Sequence, residues 1–273
     1  MSVDIGSGRC ERAWQGPGNS PAIHLPLLPL LGPLSVIGSR SGLQLLYRKG
    51  WALLAYLLVE QGRNHRRTEL SALLWPRLSE TAALTNLRQV LCDLKRKLAP
   101  LLGPDQLQIE REWVRLRLDP LSPVSDLQQV QAMVIDHHRV ADPRQLGWLL
   151  ECSQLLEGWE PDGSEEFNFW LATTRQWYQL QWLRALDRLR SAAQRAGDWR
   201  LALDCVRCQI RADPWNETLH RQRMTLYSAM GEAALALASY RELEAVLKRE
   251  LGVDPQRETI ELAGAIGQQA DLA

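Results

Sequence analysis

Gly197-Asp198, Leu201-Ala202-Leu203 and Arg207 recur as Gly231-Glu232, Leu235-Ala236-Leu237 and Arg241, a constant offset of 34 residues. A period of that length holds one antiparallel helix pair per unit, and it puts Ala202 and Ala236 in the same small-residue slot between paired helices. Pro214 is read as a break between units. Two units cannot complete a superhelix, so flanking helices must cap them. From Ser125 onward only helical periods occur; they predict helices over about 125–139, 143–156, 165–196, 198–212, 215–230, 232–250 and 256–268. The back half is therefore all helical.

The front half follows other periods. Leu34 to Ile37 and Leu43 to Leu46, separated by Gly-Ser-Arg-Ser-Gly, predict an antiparallel hairpin. Pro26 and Pro29 make the run before it an edge strand or an irregular lead-in. From Arg48 the period becomes helical, with Trp51, Leu54, Leu57 and Leu58 on one face until Gln61-Gly62. A second helix is expected from an N-cap at Thr68 to Trp75-Pro76, because proline disfavours helix in the residue before it. A third is expected from a cap at Ser79 to about Leu98, with an apolar stripe of Leu84, Leu87, Val90, Leu91, Leu94 and Leu98. Then Leu107 and Ile109, the turn Glu110-Arg111-Glu112, and Trp113 to Leu118 form a second alternating unit, a β-hairpin. Small sheet, three helices and hairpin is the order of a winged helix-turn-helix.

The fold class is thus mainly α: an N-terminal winged helix-turn-helix followed by an all-α, tetratricopeptide-like helical domain. Residues 1–22 are polar with interspersed Gly and Pro and read as a disordered tail, 23–119 as the winged helix and 120–273 as the helical domain. The 273 residues balance 32 Lys and Arg against 32 Asp and Glu, but unevenly. Residues 1–120 carry a net +6 and residues 121–273 a net −6, which points to a polyanion partner for the front half alone. No apolar run reaches about 18 residues and the N-terminus has no secretory apolar core, so a cytoplasmic location is expected. Five cysteines at irregular spacing read as reduced thiols.

On the third helix the polar face carries Thr85, Asn86, Arg88, Gln89 and Arg96, the residue types that pair with base edges and phosphates in a major groove. Their bland alternative is a solvated face. Cys92, Asp93 and Lys95 share that face; Asp93 would repel phosphate, so it is expected against a base edge or a neighbouring basic side chain. Arg111 at the hairpin tip, with Arg115 and Arg117 along its outer edge, suits phosphate or minor-groove contact, or equally a charged edge that prevents strand aggregation. Arg48-Lys49 and His65-Arg66-Arg67 are candidate backbone clamps. Cys205-Val-Arg-Cys208 has the CxxC form, but no second pair or nearby His pair completes four zinc ligands. His137 and His138 are adjacent and so face apart on a helix, and Trp170, Trp177 and Trp182 read as packing core. No phosphate-binding loop, nucleophile elbow or HExxH occurs, and no cofactor or metal is implied.

Read together, these segments resemble the SARP-type bacterial activators, in which an OmpR-type winged helix precedes a bacterial transcriptional activator domain. The match is carried by LLGPLSVIGSRSG, YRKGWALLAYLLVEQG, RRTELSALLWP and AALTNLRQVLCDLKRKL in the front half. In the back half it is carried by LLEGW, Phe169 to Arg195, GDWRLAL, DPWNETLHRQRM and YRELEAVLKRELGVDPQRET. It spans about residues 23 to 264 in the family's own order. Glu112-Trp113 departs from the Gly-Tyr favoured in the wing of relatives. The resemblance implies a non-enzymatic, sequence-specific DNA-binding activator, cytoplasmic and nucleoid-associated when on DNA. It further implies a homodimer on promoter repeats and contact with RNA polymerase. A protein-interaction adaptor whose winged helix no longer binds DNA is the alternative.

Overall fold

The computed structural model describes residues 28–33, 43–119, 123–135, 143–159 and 164–271. Helix α1 spans Arg48–Val59 and is buried on almost every side, with Ala52, Leu53, Leu54 and Ala55 all at 0% exposure. It is the axle of the front half. Strand β1 (His65–Arg66) leads directly into α2 (Arg67–Leu74), which is followed by α3 (Glu80–Leu102) and a hairpin of β2 (Leu107–Ile109) and β3 (Trp113–Leu116). The sheet order is β1-β3-β2, antiparallel throughout, with His65 opposite Val114 and Ile109 also opposite Val114.

Strand pairing explains where α2 begins. The cap is Arg66 rather than Thr68, because β1 hydrogen-bonds to β3 and the Arg67 N–H donates to the Glu112 carbonyl at 2.9 Å. The helix ends at Trp75, just before Pro76. Helix α3 begins as expected, the Ser79 hydroxyl accepting the Ala82 N–H, but it runs a turn past Leu98, through Pro100, to a Gly103 at φ 95°. Proline removes one hydrogen bond there, near the helix end where the loss is smallest.

The first expected hairpin needs correction. Leu34 to Ile37 lies outside the described residues, and Leu43 to Leu46 is not a strand: Leu43 drops into the core, while the Leu46 N–H donates to the Asp93 carboxylate at 2.8 Å instead of to a ladder. The described part of the lead-in, residues 28–33, is irregular, one of the two alternatives that Pro26 and Pro29 left open. Residues 28–33 form a strap held by single bridges to Ser125, Leu155 and Glu157. Its anchor is the buried Asp126, whose Oδ2 accepts the N–H groups of Leu30 and Leu31 at 2.6 and 2.7 Å.

The back half is helical: α4 (Asp126–Ile135), a 3-10 helix (Pro143–Glu151), α5 (Glu165–Arg195), α6 (Trp199–Ala212), α7 (Glu217–Ala229), α8 (Ala233–Glu250) and α9 (Arg257–Asp271). An α-helix over 143–156 is not formed. Leu156 instead donates its N–H to the strap carbonyl of Leu30 at 3.0 Å, and it adopts φ 48°, which helix cannot accommodate. Residues 136–139, with His137 and His138, lie outside the described residues. The 34-residue repeat is present in bonding detail, although Pro214 lies within the first unit, between α6 and α7, and not between units. Gly197 and Gly231 turn at φ 73° and 78°, Asp198 donates to Ala193 at 2.9 Å as Glu232 does to Tyr227 at 2.8 Å, and Ala202 and Ala236 are both fully buried.

One apolar core runs unbroken from the strap through α1, α3, the sheet, α4 and α5 to Cys205 and Cys208 on α6, and a smaller one joins α6 to α9. Between the winged helix and α5, Tyr56 meets Trp170 at 4.9 Å and the Ser164 hydroxyl donates to the Leu73 carbonyl. Trp182 is buried and donates its indole N–H to Leu149 at 2.9 Å; Trp177, expected in the core, is 43% exposed.

Candidate nucleic-acid interface

A helix turns 100° per residue, so Thr85, Arg88, Gln89, Cys92 and Arg96 fall on one face of α3, and all five are exposed. The opposite face is the expected core stripe, although Leu84 is only half-buried at the rim and Ala83 takes the interior place beside it. Asn86 sits on the flank and is half-buried.

The β1 to β3 pairing brings distant basic residues to this face. Arg66 and Arg67 at the start of α2, Arg88 on α3 and Arg111 at the hairpin tip line one open groove of about 860 Å³, with Thr68, Thr81 and Thr85 between them. Glu112 is the carboxylate on its wall, so four guanidinium groups face a single negative charge. Arg67 also reaches the Glu110 carbonyl at 3.4 Å, which ties the helix start to the hairpin turn. Asn64, Thr81 and Trp113 are groove residues that sequence reasoning did not single out. Trp113 could have been found from its place next to the hairpin tip; Asn64 and Thr81 carried no such signal.

The other candidates take different places. Arg115 and Arg117 alternate with the buried Val114 and Leu116 and so lie on the outer side of β3; Arg117 is exposed and Arg115 half-buried opposite Gln108. Arg48 is exposed at the start of α1. Lys49 is directed into the protein, its ammonium on the Leu74 carbonyl and 5.1 Å from the centre of the Trp75 ring. It thus closes the C-terminal end of α2, where unpaired carbonyls favour a cation. Asp93 is not on the exposed face. It is 4% exposed and accepts hydrogen bonds from the Leu46 N–H and the Arg96 guanidinium, both at 2.8 Å, so of its two expected partners it has the basic side chain. Arg96 is thereby braced while its side chain stays 65% exposed.

The CxxC pair is interior. Burial pushes both thiols up from their ordinary range, and Cys208 bonds to the Leu150 carbonyl and to Arg211, which is a packing role rather than that of a thiolate. Among the described residues no cluster of metal-ligating side chains occurs, and no helix is long and apolar enough to cross a membrane.

Three helices and a hairpin wing define a winged helix-turn-helix, here joined to a helical unit of repeated pairs. The chain belongs to the bacterial transcriptional activator domain family, whose model matches residues 126–267. This is the helical half of the SARP-type activators, a family of transcription regulators. The solved structure of Mycobacterium tuberculosis EmbR in complex with a low-affinity phosphopeptide is similar in fold, with a TM-score of 0.58 at 21% identity. The similarity covers 88% of this chain and 64% of that one, so the chain spans less than two thirds of EmbR's length. No curated protein matches the sequence.

Proposed function

We propose that the chain is a sequence-specific DNA-binding activator that reads promoter repeats. The observation that carries this is the groove in which Arg66, Arg67, Arg88 and Arg111 converge beside the exposed face of α3. Four guanidinium groups brought together from β1, α2, α3 and the hairpin turn repel one another and face one carboxylate, so they match a run of phosphates better than any small anion. Residues 23–119 then supply DNA contact. Helix α3 enters the major groove, where Arg88 and Gln89 reach base edges beside Thr85, while Arg66, Arg67, Arg96 and Arg111 grip the backbone. Arg115, Arg117 and Arg48 extend the positive surface, and Asn86 contributes from the flank. Residues 120–273, tetratricopeptide-like in period, carry the contact with RNA polymerase and the homodimer contact needed for repeated half-sites. The protein works in the cytoplasm, on the nucleoid when bound.

Fluorescence anisotropy of the whole chain with labelled promoter DNA over a salt series tests this. Log affinity should fall linearly with log salt, by about 0.9 per neutralised phosphate. Salt-independent affinity, or no affinity at low salt, would replace this reading with the adaptor.

A further inference from the structure

Helix α5 leaves an apolar ridge bare. Phe169 is 77% exposed, Leu180 57% and Trp177 43%, three large side chains along one side of a helix whose other side is core. Glu166 stands exposed at the N-terminal end of this ridge and Arg184 at the C-terminal end, with Thr173 between. A rise of about 1.5 Å per residue makes the ridge about 27 Å long from Glu166 to Arg184. Beside Leu180 and Arg184 the surface sinks into a hollow of about 380 Å³, formed with Leu183, Asp187, Arg188 and Gln209.

Knob, hollow and charges are arranged symmetrically along the helix. An antiparallel copy of α5, turned about a two-fold axis level with Arg175, one residue before the exposed Gln176, sets Glu166 against the partner's Arg184 and Phe169 against the partner's Leu180, over the hollow. The same turn sets Thr173 against the partner's Trp177. Each pairing occurs twice, as a two-fold interface requires. Trp177 is steadied for this role by its edge contact with Tyr178, ring centres 4.7 Å apart. A ridge with acid at one end, base at the other, and an aromatic knob that the two-fold turn sets opposite its own hollow is complementary to itself, not to a uniformly charged partner. We infer that a second copy of this chain docks antiparallel on α5, through Phe169, Trp177 and Leu180, with a Glu166 to Arg184 pair closing each end. This deepens the dimer reading above and rests on it.

Charge exchange tests the pairing in the full chain. In sedimentation velocity over a concentration series, Glu166→Arg or Arg184→Glu alone should weaken dimerisation by on the order of tenfold, because each places two like-charge contacts in the interface. Both changes in one chain should restore it, since the reversed charges meet again across the axis. Gln176→Cys should in addition give a disulfide-linked dimer under mild oxidation in a Cys10→Ser, Cys92→Ser background, which the same background without Gln176→Cys should not give. Glu166, Gln176, Arg184 and Cys92 are exposed, so an unchanged thermal melt confirms folding. A dimer indifferent to the exchanges overturns this interface and leaves the dimer reading standing. A chain that stays monomeric at every concentration, with no cross-link in the Gln176→Cys variant, overturns both.

Discussion

Arg88 of α3 and Arg111 at the hairpin tip line the same groove, although they belong to different elements and no local contact joins them. The two-residue strand His65–Arg66 creates that relationship: it pairs with β3 and so ties the α2 and α3 unit to the hairpin. Groove geometry and wing position are one structural decision.

Their roles should separate on substitution. Arg88→Ala is expected to cost about 1–3 kcal/mol on the preferred sequence and to relax preference at one position. Arg111→Ala should weaken all sequences alike and lower the salt slope by about one. Anisotropy on a set of single-base operator variants across salt reads both. Equal, salt-independent affinities for the two variants would contradict the division.

Cys92 offers a footprint. Its thiol is exposed on the same face of α3 as Arg88 and Arg96, whereas Cys152, Cys205 and Cys208 are buried. Bound DNA should shield Cys92 from iodoacetamide without changing the slow reaction of the buried three, as measured by peptide mass spectrometry. Undiminished Cys92 alkylation on saturating DNA would remove α3 from the interface.

Asp126 should make stability depend on pH in an uncommon direction. Burial pushes its carboxyl up to about 7, outweighing the backbone N–H groups of Leu31, Leu30 and Leu127 that favour the charged form. In the unfolded chain the group titrates near 3.8. The unfolded state thus loses this proton first, so the stabilisation is complete below about pH 4 and declines until about pH 7, by at most about 1.4 kcal/mol per pH unit. Urea unfolding of the wild type minus that of Asp126→Asn should shrink from pH 5 to pH 7.5. A difference that grows over this range would mean the carboxylate is held ionised.

Ala202 and Ala236 are fully buried at equivalent places in the repeat. Replacing either by Leu should cost roughly 1–3 kcal/mol through overpacking. The two losses should be similar, because the slots are equivalent. Thermal unfolding of the two single variants checks this, and an unaffected Ala202→Leu would deny the shared close approach.

Most helices were legible because their signals are local. Ser79 caps α3, Pro76 bounds α2, and the Gly197 and Gly231 turns recur at 34 residues, all within a few residues of the elements they punctuate. The misreadings share another character. Thr68 was displaced as a cap by a bond from Arg67 to Glu112, and Leu43 to Leu46 was drawn from strand by Asp93. The α-helix expected over 143–156 is instead a 3-10 helix that ends at Glu151, and Leu156 bonds to the strap at Leu30. In each case a partner many residues away supplied a hydrogen bond that the local pattern could not anticipate.

The amino-acid sequence by itself determined the class of the chain: a basic, winged front and an acidic back of paired helices, since periodicity, capping and net charge are properties of neighbouring residues. It also placed Arg66, Arg67, Arg88 and Arg111 among the candidates. Only the tertiary structure decided that these four share a groove while Lys49 closes the end of α2, and that Asp93 is interior while Trp177 is bare. Which side chains face solvent on a half-buried helix depends on what packs against it, and packing between segments far apart in the chain leaves no mark at the residues' own positions.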